Sequence, residues 1–548
     1  MRLDTLTIGS PKDSQSHRFK NLKDVTVNFD QDHWITVIIG WNGTGKSNVL
    51  EALALIFREL IWRRPPRIEF AFKLKYELGN DAAKRFVEID HDPDRNKPYE
   101  IHVTSVDLEG GLDLGPNRKK TTLKGFLEDD RNLPRYVFSY YSGESPRMYD
   151  IFAPYLRWYD ERLRRGEKPG LKRLFYALPI HSQFVLLAFL THKTDEVTEF
   201  LRDHMGLDPV DGLESVLVVL RQPPWNSPEG DPRFWKAKGL VSNFLDRLMN
   251  VSLAPITISR SVPVSLWNNK TLQFKYHYIK DMKALRELVG GQSPAEFFRD
   301  LESTYVSQLI DQVRIRVKLK KNDGTVTFRE LSEGEQQLLT VLGLMRFTAE
   351  SESLFLLDEP DTHLNPRWSV DYLKYLKQFV GRNKAGQETS HVIMTTHNPL
   401  AVAELLREQV QILTRDKDDM HVTSQLPDLH PRGMGYAGVI TSDLFGLDAA
   451  VDSHTLELLE EKRILSAKED SLTADEQERL QTINDELLSY GFRFEMRDPV
   501  YTEYLKARYA ASEAVTASPD EPASREEEMK RAKQMVDEAL RNTQQKEG

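Results

Sequence analysis

"WITVIIGWNGTGKSNVLEALALIFREL", residues Trp34 to Leu60, decides the fold. An apolar run rich in β-branched residues passes through a glycine turn into a stretch whose apolar positions recur at helical spacing. A strand, a glycine turn and a helix in that order form the front of a nucleotide-binding α/β unit. Inside it, "GWNGTGKS", Gly40 to Ser47, has the P-loop pattern. Gly40 and Gly45 let the backbone curl so that its N–H groups face phosphate oxygens. Lys46 then reaches the β- and γ-phosphates, and the Ser47 hydroxyl ligates magnesium. Asn42, Gly43, Thr44 and Asn48 complete the set expected around the nucleotide, and the N-terminus of the following helix adds its dipole to the anion site.

Further stretches supply what a P-loop needs from elsewhere. "LFLLDEPD", Leu354 to Asp361, ends an apolar strand in carboxylates. Asp358 is the expected metal residue and Glu359 the expected general base. Two solvated acids are the plainer reading, but beside a P-loop a strand end is where the sheet delivers its edge to a ligand. "LSEGEQQ", Leu331 to Gln337, reads as a capped helix start, with Ser332 at the N-cap and Glu335 at the capping-box position. A helix N-terminus bearing a serine hydroxyl and Gly334 is also a second anion-binding device. It cannot duplicate the P-loop within one chain, so a second copy's γ-phosphate is its natural target. "MTTHNP" places His397 just past another apolar strand, where a γ-phosphate sensor is expected, and His363 lies in the turn after the two acids.

The chain has 548 residues, 40% of them hydrophobic, which is enough for more than one domain with real cores. Zero cysteines exclude disulfides, thiolate metal sites and cysteine nucleophiles, and fit a cytoplasmic location. The longest apolar runs fall short of the roughly 20 residues that span a bilayer, and the start "MRLDTLTIGS" lacks the pattern of a signal peptide. Net charge is −10, so nucleic-acid contact requires a local patch. In "VRIRVKLKK", Arg314, Arg316, Lys318 and Lys320 alternate with Val313, Ile315, Val317 and Leu319, placing the cations on one face of a strand. That face is either a solvated exterior or a row of phosphate contacts for DNA or RNA. Arg63, Arg64 and Arg67, and Arg118 to Lys120, are further basic clusters with a loop-surface reading.

The motifs divide the chain into an ATPase head made of residues 1–150 and 312–420, a helical insertion at 151–311, and a mostly helical C-terminal region at 421–548 with a charged tail. No heptad run of coiled-coil length occurs.

"NGTGKSN", "LSEGEQQ", "LLDEPDTHLNP" and "TTHNP", in that order, resemble the ATP-binding cassette of the SMC, RecF and OLD-like ATPases. The resemblance implies an α/β, ABC-type P-loop head that hydrolyses ATP with Mg2+. ATP is then sandwiched between two heads, with Lys46, Ser47, Asp358, Glu359 and His397 from one and Ser332, Gly334 and Glu335 from the other. For the family's glutamine-loop residue, Gln183 in "HSQF" is the one candidate. The overall layout and the stretch "RGMGYAGVITSDLFGLDAAVDSHT" are similar to the ATPase subunits of the Septu anti-phage system and of related retron- or restriction-associated systems. This implies a regulatory ATPase working with an HNH nuclease encoded nearby. A DNA-repair clamp is the alternative, weakened by the missing coiled coil. A second alternative is an OLD-like enzyme with its own Toprim nuclease, for which Asp416 and Asp418 have the Asp-x-Asp spacing but lack a preceding glutamate strand.

Overall fold

The computed structural model describes residues 1–492, except 13–14, 63–65, 80–82, 110–111, 114–116, 171, 193, 208–211, 226–228, 264–267, 319–324, 328–331, 348–351, 381–387, 417–419, 448, 469–471 and 491. The described chain falls into two units, Met1–Gly446 and Leu447 onward.

The apolar run that opens the P-loop forms the strand Ile35–Gly40, with Ile35 to Ile39 all buried. Continuous burial is what a central parallel strand requires, because helices cover both its faces. Its neighbours are the strands His391–Thr395 and Val410–Arg415, both parallel to it. Next to His391–Thr395 lies Ser353–Asp358, then Tyr136–Tyr141 and Leu174–Tyr176, all parallel, while Val422–Gln425 closes the far edge antiparallel. Register aligns Thr395 with both Asp358 and Ile38. The motif-bearing ends of three strands therefore emerge on one edge of the sheet. The helix Lys46–Ile61 packs beside this sheet through Val49, Leu50, Leu53, Phe57 and Leu60, whose spacing puts them on one buried face.

A second, antiparallel sheet joins Arg2–Ile8, Val25–Asn28, Phe72–Leu78, Ala83–His91 and Tyr99–Glu109 with two short strands, and it shares the core of the Lys46–Ile61 helix. Arg118 to Lys120 sit on the strand Asn117–Thr121, not in a loop, and Arg118 and Lys120 pair with Glu88 and Glu100. Arg63 and Arg64 lie outside the described residues.

The segment expected to be a helical insertion, 151–311, is mixed. It contains helices such as Arg147–Arg164, Ile180–Thr191 and Pro294–Val306, but also the strands Leu213–Arg221, Leu253–Pro263 and Asn269–Ile279. With Ile310–Lys318 and Thr325–Thr327 these build a third sheet, so the expected boundary at 311/312 cuts through a strand. The physical cause is the run "SVLVVL": a buried strand and a buried helix look alike when apolar residues are continuous. Two further boundaries shift. Leu174–Tyr176 belongs to the parallel sheet and not to the insertion, and Val422–Gln425 belongs to it and not to the C-terminal region.

The first unit is pinned internally by a buried ion cluster. The Lys172 ammonium donates to Glu302, whose other oxygen faces His181 Nε2 at 2.5 Å. Burial alone would raise the Glu302 pKa, but His181 and Lys172 outweigh it and hold the carboxyl at about 2. Gly343, inside the helix Glu333–Phe347, lies where an added Cβ would fall 2.1 Å from Val185 Cγ1, so its lack of a side chain sets the close approach to Ile180–Thr191.

The second unit, as far as described, is a pair of helices, Ser453–Ser466 and Ala474–Ser489, around Leu458, Leu465, Ile483 and Leu487. Both begin with side-chain caps, Asp452 and Thr473. No helix among the described residues is long and apolar enough to cross a membrane.

Candidate functional site

The loop Gly40–Gly45 is shaped by three glycines at φ 146°, 85° and 100°, Gly40, Gly43 and Gly45. A Cβ on Gly40 would lie 2.3 Å from the Leu413 carbonyl oxygen, and one on Gly45 would lie 2.8 Å from Leu22. Only glycine satisfies both the angles and the space. Thr44 Oγ1 donates to the Trp41 carbonyl at 2.8 Å, and Asn21 braces the loop by donating to the Gly43 carbonyl and accepting from Asn48 at 2.6 Å. Asn42 is exposed. The helix that follows starts with no side-chain cap, leaving its first amides for an anion.

Lys46 is buried, and its ammonium donates to the carbonyls of Gly40 and Trp41 at 2.7 and 3.2 Å. Burial lowers its pKa to about 8, with Glu359 and Asp358 working in the opposite direction. The Ser47 hydroxyl donates to Asp358 Oδ1 at 3.0 Å, joining two motifs 311 residues apart. The Thr395 hydroxyl donates to the same oxygen. Among the described residues, Asp358 Oδ2 is buried and accepts no hydrogen bond, and Arg147 Nη2 lies 3.6 Å from it. Burial raises the Asp358 pKa, partly offset by the two hydroxyls and Arg147. A buried carboxylate oxygen without a donor, next to a serine hydroxyl, suits a hard divalent cation.

Glu359 follows in a left-handed conformation, φ 51°, which costs a non-glycine residue about 1–2 kcal/mol. Its N–H is shared between the carbonyl and hydroxyl oxygens of Thr395, each at 3.1 Å, and this anchor sustains the turn. Strain of this kind gathers at functional sites. Its carboxylate meets His397 Nε2 at 3.0 Å. That hydrogen bond holds the Glu359 pKa below its usual range against the opposing effect of burial, helped by Lys46 and Arg147. Asp361, two residues on, is buried and accepts from Thr396 Oγ1 at 2.7 Å, and burial pushes its pKa up to about 6.

The chain thus brings Lys46, Ser47, Asp358, Glu359 and His397 to one edge. Ser332, Gly334 and Glu335 belong to a separate helix start, which packs against the turn after Glu359. Ser332 and Glu335 form the expected capping box, with Ser332 N donating to Glu335 Oε2 at 2.7 Å and Glu335 N to Ser332 Oγ at 3.2 Å. Gly334 packs against the His363 carbonyl, and His363 lies 3.6 Å from Glu333. Among the described residues, neither Ser332 nor Gly334 is hydrogen-bonded to residues 40–48. Gln183 lies within the helix Ile180–Thr191 rather than in a loop. Asp416 follows the strand Val410–Arg415, its N–H donates to the His421 carbonyl at 2.9 Å, and Asp418 lies outside the described residues.

Residue-by-residue reading missed Arg147, Thr395, Asp361 and Asn21. Arg147 stacks on Tyr141 at 4.7 Å and bridges Glu51 and Asp358 at 3.3 and 3.6 Å. Only its place just after the strand Tyr136–Tyr141, beside Ser353–Asp358, could have flagged it. A large cleft at the other end of the sheet, around Trp34, Ile35 and Trp368, includes none of the candidate site residues.

Residues 18–114, which hold the P-loop, match the family described as "AAA ATPase domain", and residues 229–403, which hold the other motifs, match "AAA domain, putative AbiEii toxin, Type IV TA system". The chain is 26% identical over 202 residues to the Septu protein PtuA of Bacillus mycoides (strain KBAB4), covering 35% of this chain and 27% of that one. A second Septu protein PtuA, from Bacillus thuringiensis, is 26% identical over 144 residues, covering 24% and 35%. The "Retron Vc95 probable ATPase" of Vibrio cholerae serotype O1 biovar El Tor is 21% identical over 415 residues, covering 69% and 68%. The matched region therefore spans about a quarter to a third of the Septu relatives' length.

Proposed function

We propose that this chain, which carries AAA-type ATPase sequence on both sides of its central segment, is an ABC-type ATPase of a defence system whose site is completed by a second copy. The observation that carries the reading is the convergence of Ser47 on Asp358 at 3.0 Å with Glu359 on His397 at 3.0 Å, at the ends of adjacent parallel strands. In this reading the amides of Gly40 to Ser47 and the Lys46 ammonium hold the phosphates of ATP. Ser47 and Asp358 hold Mg2+, which would neutralise charge on the phosphates. Glu359, kept ionised by His397 and the nearby cations, takes a proton from water, and His397 orients that carboxylate. Burial lowers the Lys46 pKa to about 8, so its ammonium stays mostly charged at neutral pH, and bound phosphates would add to the anions that favour the charged form.

The Ser332 helix start is supported as a trans element by its position against the turn that follows Glu359 and by its separate hydrogen bonding. Two copies head to tail would place it on the neighbour's nucleotide. The Septu and retron relatives support a role in anti-phage defence. We extend this to control of an HNH nuclease encoded nearby, through contacts that differ between nucleotide states.

The experiment is plasmid cleavage by the purified chain, by the neighbour-encoded nuclease and by their complex across an ATP titration. The chain alone leaves DNA intact with Mg2+ or Mn2+, and the complex cuts in a manner that responds to ATP. Cutting by the chain alone that disappears in Asp416→Ala would overturn this and favour an intrinsic nuclease.

A further inference from the structure

The third sheet buries one face in the core; among the described residues much of the other face is exposed, although Val219 and Phe274 on it are covered by their neighbours. On that face, register sets side chains in rows. Leu253, Tyr278, Leu217 and Arg314 form one, and Ile256, Tyr276, Val219 and Gln312 the next. Beyond them Ile258 lies across from Phe274, whose ring is covered by the Arg260 guanidinium at 4.1 Å. Large groups reach solvent here, with Ile256 55%, Ile258 44% and Tyr278 39% exposed. Along the neighbouring strand Arg314, Arg316 and Lys318 are exposed on this face, while Val313, Ile315 and Val317 lie in the core. The acids nearby are Glu214, 3.4 Å from Arg316, and Asp311, 3.7 Å from Arg221. The face is basic overall, with Lys270 and Arg260 extending it, in a chain of net charge −10.

We propose that this largely exposed face binds single-stranded nucleic acid, independently of the nucleotide-site reading. Alternate residues on a strand stand about 7 Å apart, so Arg314, Arg316 and Lys318 form a line of cations that can follow a phosphate backbone. The two tyrosines lie two strands away, flanked by isoleucines. They offer flat apolar platforms on which unpaired bases stack. A duplex keeps its bases stacked internally and would engage the cation row alone. A second copy of this chain, docked face to face, would set these cations against one another. Both features are therefore used together only by a polyanion with free aromatic faces.

The test is fluorescence anisotropy with the full chain and a labelled oligodeoxythymidine, an oligouridine of equal length and a DNA duplex, over a range of salt. At least one single strand binds more tightly than the duplex. Arg314→Ser/Arg316→Ser/Lys318→Ser lowers the slope of log affinity against log salt by about 2, at about 0.7 for each phosphate no longer neutralised. Tyr276→Ala/Tyr278→Ala weakens single-strand binding by about tenfold or more with the slope unchanged. Because Tyr276 is half buried, Tyr278→Ala alone is the control for folding, and it weakens binding in the same direction. Duplex binding as tight as single-strand binding, no binding at low salt, or self-association in place of binding overturns the proposal.

Discussion

Replacing Asp361 by asparagine removes a charge but keeps a hydrogen-bonding group beside Thr396. The Asp361 side chain is buried, and that burial lifts its pKa from the ordinary aspartate range near 4 to about 6. The folded state therefore holds this proton more tightly than the unfolded chain. Below about pH 4 the carboxyl is protonated in both states and costs nothing. Between about pH 4 and 6 the unfolded chain ionises first, and stability falls as pH rises. Above about pH 6 both states are ionised and the full penalty remains. At 1.36 kcal/mol for each pH unit, that penalty is about 3 kcal/mol. With an unfolding entropy of about 2.1 cal/mol/K per residue over Met1–Gly446, it corresponds to about 3 °C in Tm. Asp361→Asn should melt about 3 °C above the parent at pH 8 and level with it near pH 4, read by scanning calorimetry without nucleotide. Groups away from Asp361 titrate alike in both proteins, so the difference reports on Asp361 and its coupling to Glu359 and Tyr372. A variant less stable than the parent at pH 8 would refute the reasoning, since it would mean that the ionised carboxylate is held by favourable partners.

Two other perturbations follow from the geometry. Glu302→Gln leaves Lys172 buried without its anion and should cost about 3–5 kcal/mol, seen as a lower denaturation midpoint; a loss under about 1 kcal/mol would show that the cluster is not coupled to folding. Ser332→Arg should block ATP turnover while sparing nucleotide binding, and mixing it with Lys46→Ala protein under verified subunit exchange should restore part of the activity, because one composite site in the mixed dimer stays intact; mixtures no more active than either variant would count against action in trans.

The parallel sheet and its edge were legible because the motifs carry their own context. An apolar strand runs into Gly40–Ser47, another into Asp358, and a third into His397, and strands of that kind have few other places to go. The capping box at Ser332 was legible for the same local reason. The third sheet was not, because the Leu213–Arg221 strand is buried almost throughout and presents no alternation. The paired strands Leu253–Pro263 and Asn269–Ile279 had the opposite difficulty: apolar residues such as Ile256 and Ile258 face outward, so their pattern does not mark a core. Arg147, Thr395 and Asp361 act through partners far away in sequence or across a strand pair, and only register brings them together. The alternation in "VRIRVK" was readable, but the tyrosines beside it come from a different strand.

The central claim is that phosphate binding and water activation belong to different side chains of one site. It is tested most directly by measuring ATP affinity and phosphate release for Lys46→Ala and Glu359→Gln. Lys46→Ala should lose affinity, because it removes the cation on the loop. Glu359→Gln should keep affinity near that of the parent and lose phosphate release by at least about a hundredfold, the typical contribution of a general base. If Glu359→Gln loses affinity as severely as Lys46→Ala, or continues to release phosphate at the parent rate, the assignment of these two residues is wrong.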